Sequence, residues 1–436
     1  MVYPHVQWAR MGKVIKLDAA AKERGKGGPA AKQRKTGRRR RSKTALVLGG
    51  GGFTGGVYEI GALRALDLLS VNRTVNQFDV YVGTSAGALI AALAANGVTP
   101  EQMMRVVNDQ APQPFSDVSL DALLRPNYRE FVSKGLRLPW HLLGLAREIG
   151  RSLPTFSTVD VAIALAELLP SGLYSGSGIE EYIRSALSDP DRTDDFRELA
   201  CELYLAATDL DTCERIVLGA EGWDDVPISS AVRASTALPM VYEPHRVKDR
   251  ELVDGGIVST TNLDIAVEAG AKLIVVVNPL VPYVNDFTKE IPTLFGTRTR
   301  RVSDMGFPKI GYQTFKLLAY QRLHEVARGW SERYPGVDIV LIEPDTDDEL
   351  MFQTNILDYR SRLEVARHGF QSVTVKLAAD YDQWRETLAR HGIEISATRV
   401  RKVVRHFEAE QGASAPAWRR ILEQTTSALL RQSAGD

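Results

Sequence analysis

The sequence predicts an α/β protein with a mostly parallel central sheet and helices on both faces, three layers in all. Three observations carry that prediction. Short apolar runs ending in glycine alternate with helical stretches along much of the chain. Two of those runs lead through glycine-rich turns straight into a helix, at 49–56 and at 83–87. The chain has 436 residues, 44% hydrophobic and 25% charged, which is enough apolar material for a sizeable core.

The elements follow in order. Residues 44–49 form an apolar run ending in glycine, which reads as a buried strand. From Gly55 onward, Val57, Ile60, Leu63, Ala65, Leu66 and Leu69 recur at helical spacing. FDVYVG at 78–83 is a second strand, and ALIAALAANGV after it is a strongly apolar helix closed by Gly97. A new helix opens at Thr99-Pro100-Glu101. Between 110 and 178 the rhythm breaks into Pro- and Leu-rich helical patches, predicted to be a cap or lid insertion. Strands resume with CELYLAATDL from Cys201 and ERIVLG from Glu214, followed by a helix from Ile228. RELVDGG from Arg250 is a strand, a helix starts near Asn262, and KLIVVVNP from Lys272 is another strand. VDIVLIEP from Val337 is the last strand signal, and beyond Asp345 the chain is charged and helical. The organisation predicted is a basic tail at 1–43, an α/β domain at 44–345 and a helical extension at 346–436.

Zero net charge hides an asymmetry. Residues 1–43 hold 14 Lys and Arg against Asp18 and Glu23, which leaves 40 basic and 52 acidic residues for the rest. Such a tail is predicted to be disordered in isolation. It reads equally as a contact for anionic lipid or nucleic acid and as a solubilising arm; no specific nucleic-acid partner is expected. The tail lacks the apolar stretch of a secretory signal, and no apolar run is long enough to span a membrane. Cys201 and Cys213 are too few for a disulfide framework and lack metal-ligand spacing. They read as free thiols in a reducing compartment, which points to a cytoplasmic protein with possible peripheral membrane contact.

The turn at 49–56 suits either of two anions. Gly50, Gly52 and Gly55 fit the G-x-G-x-x-G of a dinucleotide site, but no acidic residue stands at the tip of the next strand to hold a ribose. That tip carries Gly83-Thr84-Ser85-Ala86-Gly87, the only G-x-S-x-G in the chain. A serine on a sharp strand-to-helix turn is held in strain with its hydroxyl above the sheet, and Gly83 and Gly87 give the backbone room. The bare N–H groups of Gly50, Gly51 and Gly52 are then placed to hold the oxyanion of an acyl-transfer intermediate, with Gly55 supporting the turn. The base is open. His141, His245, His324, His368, His391 and His406 follow Ser85, none on a recognisable strand-tip loop, while Asp254-Gly255-Gly256 terminates an apolar strand where catalytic groups gather.

With these motifs in place, the chain resembles the patatin-like phospholipase family. The resemblance rests on three ordered motifs: the glycine turn, Gly-Thr-Ser-Ala-Gly and Asp-Gly-Gly. The connecting stretches AATDL, AVRASTALPMVYEP and NLDIAVEAGAKLIVVV add to it, and it spans 44–344. It implies a three-layer patatin-like α/β/α fold, a Ser85–Asp254 dyad without histidine, and hydrolysis of lipid acyl esters with no metal or organic cofactor. Two departures stand out. Phe53-Thr54 occupy the turn where the family usually carries Arg or Lys, and Leu263-Asp264 replace its usual proline. A soluble carboxylesterase or thioesterase, and an inactive lipid- or partner-binding protein, remain as alternatives. LRLPWHLLGLAREIG at 136–150 reads as a lid or membrane-contacting element, or as a packed cap helix.

Overall fold

The computed structural model describes residues 14–15, 42–108, 124–134 apart from 129, 169–354 apart from 289, 294–295 and 300, and 356–410. Most of the 110–178 insertion, including the 136–150 element, lies outside these residues. So do the rest of the tail and everything after 410.

Five strands form the parallel heart of the sheet: β2 (Thr44–Leu48), β3 (Val80–Thr84), β5 (Glu202–Asp209), β10 (Leu273–Val277) and β13 (Asp338–Ile342), in the order β13-β10-β2-β3-β5. β2, β3, β10 and β13 are mostly apolar and buried throughout because both faces are covered, while β5 is buried except at Glu202 and Tyr204. Side-chain alternation sorts them into two cores. Leu46, Leu48, Val275 and Val340 pack on one face in a core shared with α1 (Gly52–Leu69), α2 (Ala86–Ala95), α3 (Pro100–Val107), α4 (Ser177–Ala186) and α9 (Arg362–Ala379). Val47, Val82, Ile274 and Ile339 pack on the other against α6 (Leu263–Glu268) and α7 (Phe307–Arg328). The result is an α/β/α sandwich.

The remaining pairings are antiparallel or peripheral. β1 (Val14–Ile15), inside the tail expected to be disordered in isolation, pairs antiparallel with Val340 and Ile339. β6 (Arg215–Leu218), β8 (His245–Val247) and β9 (Arg250–Asp254) complete the far edge. β4 (Gly172–Tyr174) pairs with β7 (Met240–Tyr242), and β11 (Glu290–Thr293) with β12 (Gly296–Thr299). β4, β7, β8, β11 and β12 run three or four residues each, too short to leave a period in the sequence.

The sequence places β9 with its tip at the same end as the parallel strands. Instead it runs antiparallel to β5, and the register shows why the site still assembles. β6 and β9 both pair with β5 at 207–208, so they occupy opposite edges of it. β3 and β6 both pair with β5 at 205–206, so they too are on opposite edges. β3 and β9 therefore share one edge and approach head-on, with Thr84 opposite Ala206 and Asp254 opposite Ala207. The residues that leave these two strands meet at their tips.

After β13 the described residues form four helices, α8 (Glu349–Gln353), α9, α10 (Tyr381–Arg390) and α11 (Ala397–Glu410). α9 crosses α1 at backbone contact, since a Cβ on Gly61 would lie 2.1 Å from the Ala366 carbonyl oxygen. No helix among the described residues is long and apolar enough to cross a membrane.

Candidate active site

Ser85 is the residue between β3 and α2, with φ 56° and ψ −128°. A non-glycine residue avoids this region unless its surroundings impose it. Here the backbone on both sides imposes it. A Cβ at Gly83 would lie 2.5 Å from Ala88 Cα, and one at Gly87 would lie 2.4 Å from the Leu48 carbonyl oxygen. Two side chains that the motif does not contain pin the turn. Ser85 N–H donates to Ser235 Oγ at 3.0 Å, and Ser235 Oγ–H donates to Ala206 O at 2.6 Å. Asn262 Nδ2 donates to Thr84 Oγ1 at 2.9 Å. Neither Ser235, at the end of α5 (Ile228–Ser235), nor Asn262 was singled out from the sequence; the only signal was the family-like text around them.

Ser85 Oγ donates to Asp254 Oδ2 at 2.5 Å, and Gly256 N–H donates to Asp254 Oδ1 at 2.7 Å. The Asp254 side chain is thus aimed by its own short turn, and Gly255 fits because a Cβ there would reach 2.3 Å from the Ala206 carbonyl. Asp254 is 2% exposed, and no cation among the described residues pairs with it. Burial pushes its carboxyl up to about 6, against the smaller lowering effects of the Ser85 hydroxyl and the Gly256 N–H. It is therefore mostly ionised at pH 7 yet close to its proton affinity. A carboxylate so tuned can take a hydroxyl proton in passing and return it.

Of the glycines expected to face the oxyanion, Gly50 is occupied: its N–H donates to Thr260 O at 3.0 Å, so it anchors the turn. A Cβ there would press to 3.2 Å from Ser85 Cβ, so a larger residue would push the serine back by a few tenths of an ångström. The N–H groups of Gly51 and Gly52 precede the first bonded turn of α1 and donate to no backbone carbonyl among the described residues. Gly52 adopts φ +62° and lies where a Cβ would meet the Ile356 carbonyl at 2.8 Å. Gly55 donates to Gly51 O at 3.0 Å, closing the turn. At the same place α2 directs its positive end toward Ser85.

Ser85 and Gly52 open onto a cavity of about 160 Å³. Its walls are apolar, with Val57 and Ile60 from α1, Leu89 and Leu93 from α2, and Leu238 and Val241 beyond α5. Phe53, which stands where a basic residue was expected, also lines it and packs on Tyr359 with ring centroids 5.3 Å apart. Asp264, at the second departure, instead pairs with Arg215 at 2.7 Å.

Three of the histidines are engaged elsewhere. His324 bonds Glu343 at 2.9 Å, His368 bonds Asp348 at 2.5 Å, and His391 bonds Asp338 at 2.8 Å. His324 and His391 are thereby tied into the core or the base of the sheet. Among the described residues no group of three or more His, Cys, Asp or Glu side chains is arranged to hold a metal ion.

A sequence model of the family described as "Patatin-like phospholipase" matches residues 46–267, just over half of the chain. The chain belongs to this family. The chain is similar to "Probable lipid hydrolase 463L" of Invertebrate iridescent virus 6, 23% identical over 223 residues, which are 51% of this chain and 63% of that protein. It is also similar to the uncharacterized protein YqhO of Bacillus subtilis, 25% identical over 228 residues, or 48% of this chain and 64% of that one. This patatin-like chain thus spans a little under two thirds of the length of those relatives. Among solved structures, VipD from Legionella pneumophila aligns over 77% of this chain and 66% of its own, with 14% identity and a TM-score of 0.33.

Proposed function

We propose that this patatin-like chain is a serine lipid acyl hydrolase of phospholipase A or esterase type that works through a Ser85–Asp254 dyad. The observation that carries the reading is the 2.5 Å hydrogen bond between Ser85 Oγ and Asp254 Oδ2 at the wall of an apolar cavity. Asp254 takes the Ser85 proton as Oγ attacks the ester carbonyl carbon. The resulting oxyanion is held by Gly51 and Gly52 N–H, while the positive end of α2 favours the same charge. Asp254 then hands the proton to the leaving alcohol, and the carbonyl reforms as acyl-Ser85. A water molecule enters, gives a proton to Asp254 and attacks the acyl carbon. The proton returns to Ser85 Oγ as the fatty acid departs. The acyl chain lies along the Leu89–Leu93 wall, where water is excluded.

The charge of residues 1–43 supports a further part of the reading, peripheral contact of the tail with anionic membrane. Co-sedimentation with anionic and neutral vesicles, with and without residues 1–43, tests that part separately.

The reading is tested by hydrolysis of a phospholipid panel beside soluble esters and acyl thioesters, using the unaltered chain, Ser85→Ala and Asp254→Asn. Phospholipid turnover that vanishes in both variants is the expected result. Turnover of soluble esters alone moves the substrate to that class, and turnover retained by Ser85→Ala overturns the mechanism.

A further inference from the structure

Glu59, about two turns into α1, is fully buried, and neither of its carboxyl oxygens has a hydrogen-bond partner among the described residues. The mechanism does not use it. Gly52, Phe53, Gly56, Val57 and Ile60 form the face of α1 that lines the apolar cavity, and Glu59 is not on that face. It shares a face with Gly55, four residues earlier, where a Cβ would press to 3.1 Å from Pro279 Cγ, just past the tip of β10. Glu59 therefore lies between α1 and the exits of β2 and β10, beneath the glycine turn. The N–H of Gly49, the first residue after β2, reaches toward its carboxyl. It closes no hydrogen bond there, because it is already donated to Val277 O at 3.0 Å.

A carboxyl in this position has to be neutral. An unpaired carboxylate in apolar surroundings takes up a proton rather than stay charged. Burial and the Gly49 N–H are the influences on Glu59, with no titratable or charged side chain among the described residues contributing. Burial prevails and holds the proton well above the ordinary carboxylate range. The surroundings of Gly49 make the same demand. A Cβ there would lie 3.2 Å from Val277 O, 3.3 Å from Asn278 Oδ1 and 3.4 Å from Thr260 O, so this backbone already faces three oxygens. A charge on Glu59 would join them next to Gly51 and Gly52, where the proposed mechanism develops its oxyanion. Like charges so close in a water-poor site repel strongly. An apolar side chain would fill the space, but it would leave no polar group against Gly49.

We propose that Glu59 is a positioning residue of the oxyanion turn, a neutral carboxyl wedged between α1 and the exit of β2. It braces Gly49 and keeps negative charge away from the Gly51 and Gly52 N–H groups. Its effect on rate rests on the Ser85–Asp254 reading; the state of its carboxyl does not. Because the oxyanion exists only along the reaction path, disturbing Glu59 acts on kcat and leaves KM nearly unchanged.

The test compares the unaltered chain with Glu59→Gln and Glu59→Leu in two measurements. The first is kcat and KM on the accepted ester from pH 7 to pH 10. Glu59→Gln keeps the shape and cannot ionise, so it should hold kcat within about twofold at pH 7 and keep it at pH 10. There the unaltered chain should have lost about tenfold. Glu59→Leu should lose about tenfold in kcat at every pH, with KM nearly unchanged. Should Glu59→Leu not fold, Glu59→Gln decides the matter. Superimposable pH profiles for the unaltered chain and Glu59→Gln would overturn the positioning role. The second measurement, urea unfolding from pH 5 to pH 10, needs no substrate. Glu59 binds its proton more tightly folded than unfolded. The unaltered chain should therefore lose stability relative to Glu59→Gln as pH rises above about 4.3, until the buried carboxyl itself ionises. A difference that does not change with pH would overturn the neutral carboxyl. If that slope is found but no ester is hydrolysed at any pH, the hydrolase reading fails and takes the positioning role with it, while the neutral carboxyl stands.

Discussion

Asp254 and Asp338 are both buried carboxylates at the ends of strands, 2% and 4% exposed, yet they are shifted in opposite directions. Asp338, at the start of β13, accepts from Arg390 Nε and Nη2, each at 3.0 Å, and pairs with His391. Burial raises its proton affinity, but His391 and the Arg390 charge outweigh burial and hold it below the ordinary carboxylate range. Asp254 has only a hydroxyl and one N–H to accept from, so burial wins. A carboxylate that fixes structure is given cations; one that is to move a proton is given neutral donors. The contrast separates Asp254, which the proposed mechanism uses as base, from Asp338, which is held ionised by its cations.

The largest expected effect breaks the two apart by function. Asp254→Asn and Ser85→Ala should lower kcat by about a thousandfold or more, whereas Asp338→Asn should leave kcat within about twofold. Steady-state kinetics on the accepted ester checks both. Next comes the anion side of the same site. Gly52→Ala forces a side chain into φ +62° and toward Ile356, and should lower kcat about a hundredfold with KM nearly unchanged.

Stability should respond in the reverse sense. Asp338→Asn leaves His391 and Arg390 without their acceptor and should destabilise the fold by about 3 kcal/mol in urea unfolding at pH 7. Asp254 binds its proton more tightly folded than unfolded, so its carboxylate costs stability as pH rises from about 4 to about 6, and that cost is complete above 6. Asp254→Asn should therefore be more stable than the unaltered chain at pH 7, by on the order of 2 kcal/mol, with no such gain below pH 4. Below pH 6 the proposed base is protonated, so kcat/KM should fall about tenfold per unit. A profile flat to pH 4.5 would remove Asp254 from that role. The smallest effect is expected from Ser235→Ala, which loosens the serine turn and should cost kcat about fivefold.

Much of this contrast was legible in the sequence, and the missing parts have physical reasons. Ser85 and strands β2, β3 and β10 announced themselves because buried strands are nearly unbroken apolar runs and the sharp exits from β2 and β3 need glycine. The direction of β9 was not legible, since RELVD reads the same whichever way it lies. Only pairing with β5 sets Asp254 against Ser85. The role of Gly50 was hidden because a free N–H and one donated to the distant Thr260 look identical in sequence. Ser235 and Asn262 reach the turn from 150 and 178 residues away, and no local pattern marks such contacts.

The central claim is that Asp254 activates Ser85. Incubation with a lipid-like fluorophosphonate followed by peptide mass spectrometry tests it most directly. The account predicts one adduct, on Ser85, formed in the unaltered chain and Asp338→Asn and slowed at least a hundredfold in Asp254→Asn. An adduct on another residue, or one on Ser85 formed equally fast without the Asp254 carboxylate, would contradict it.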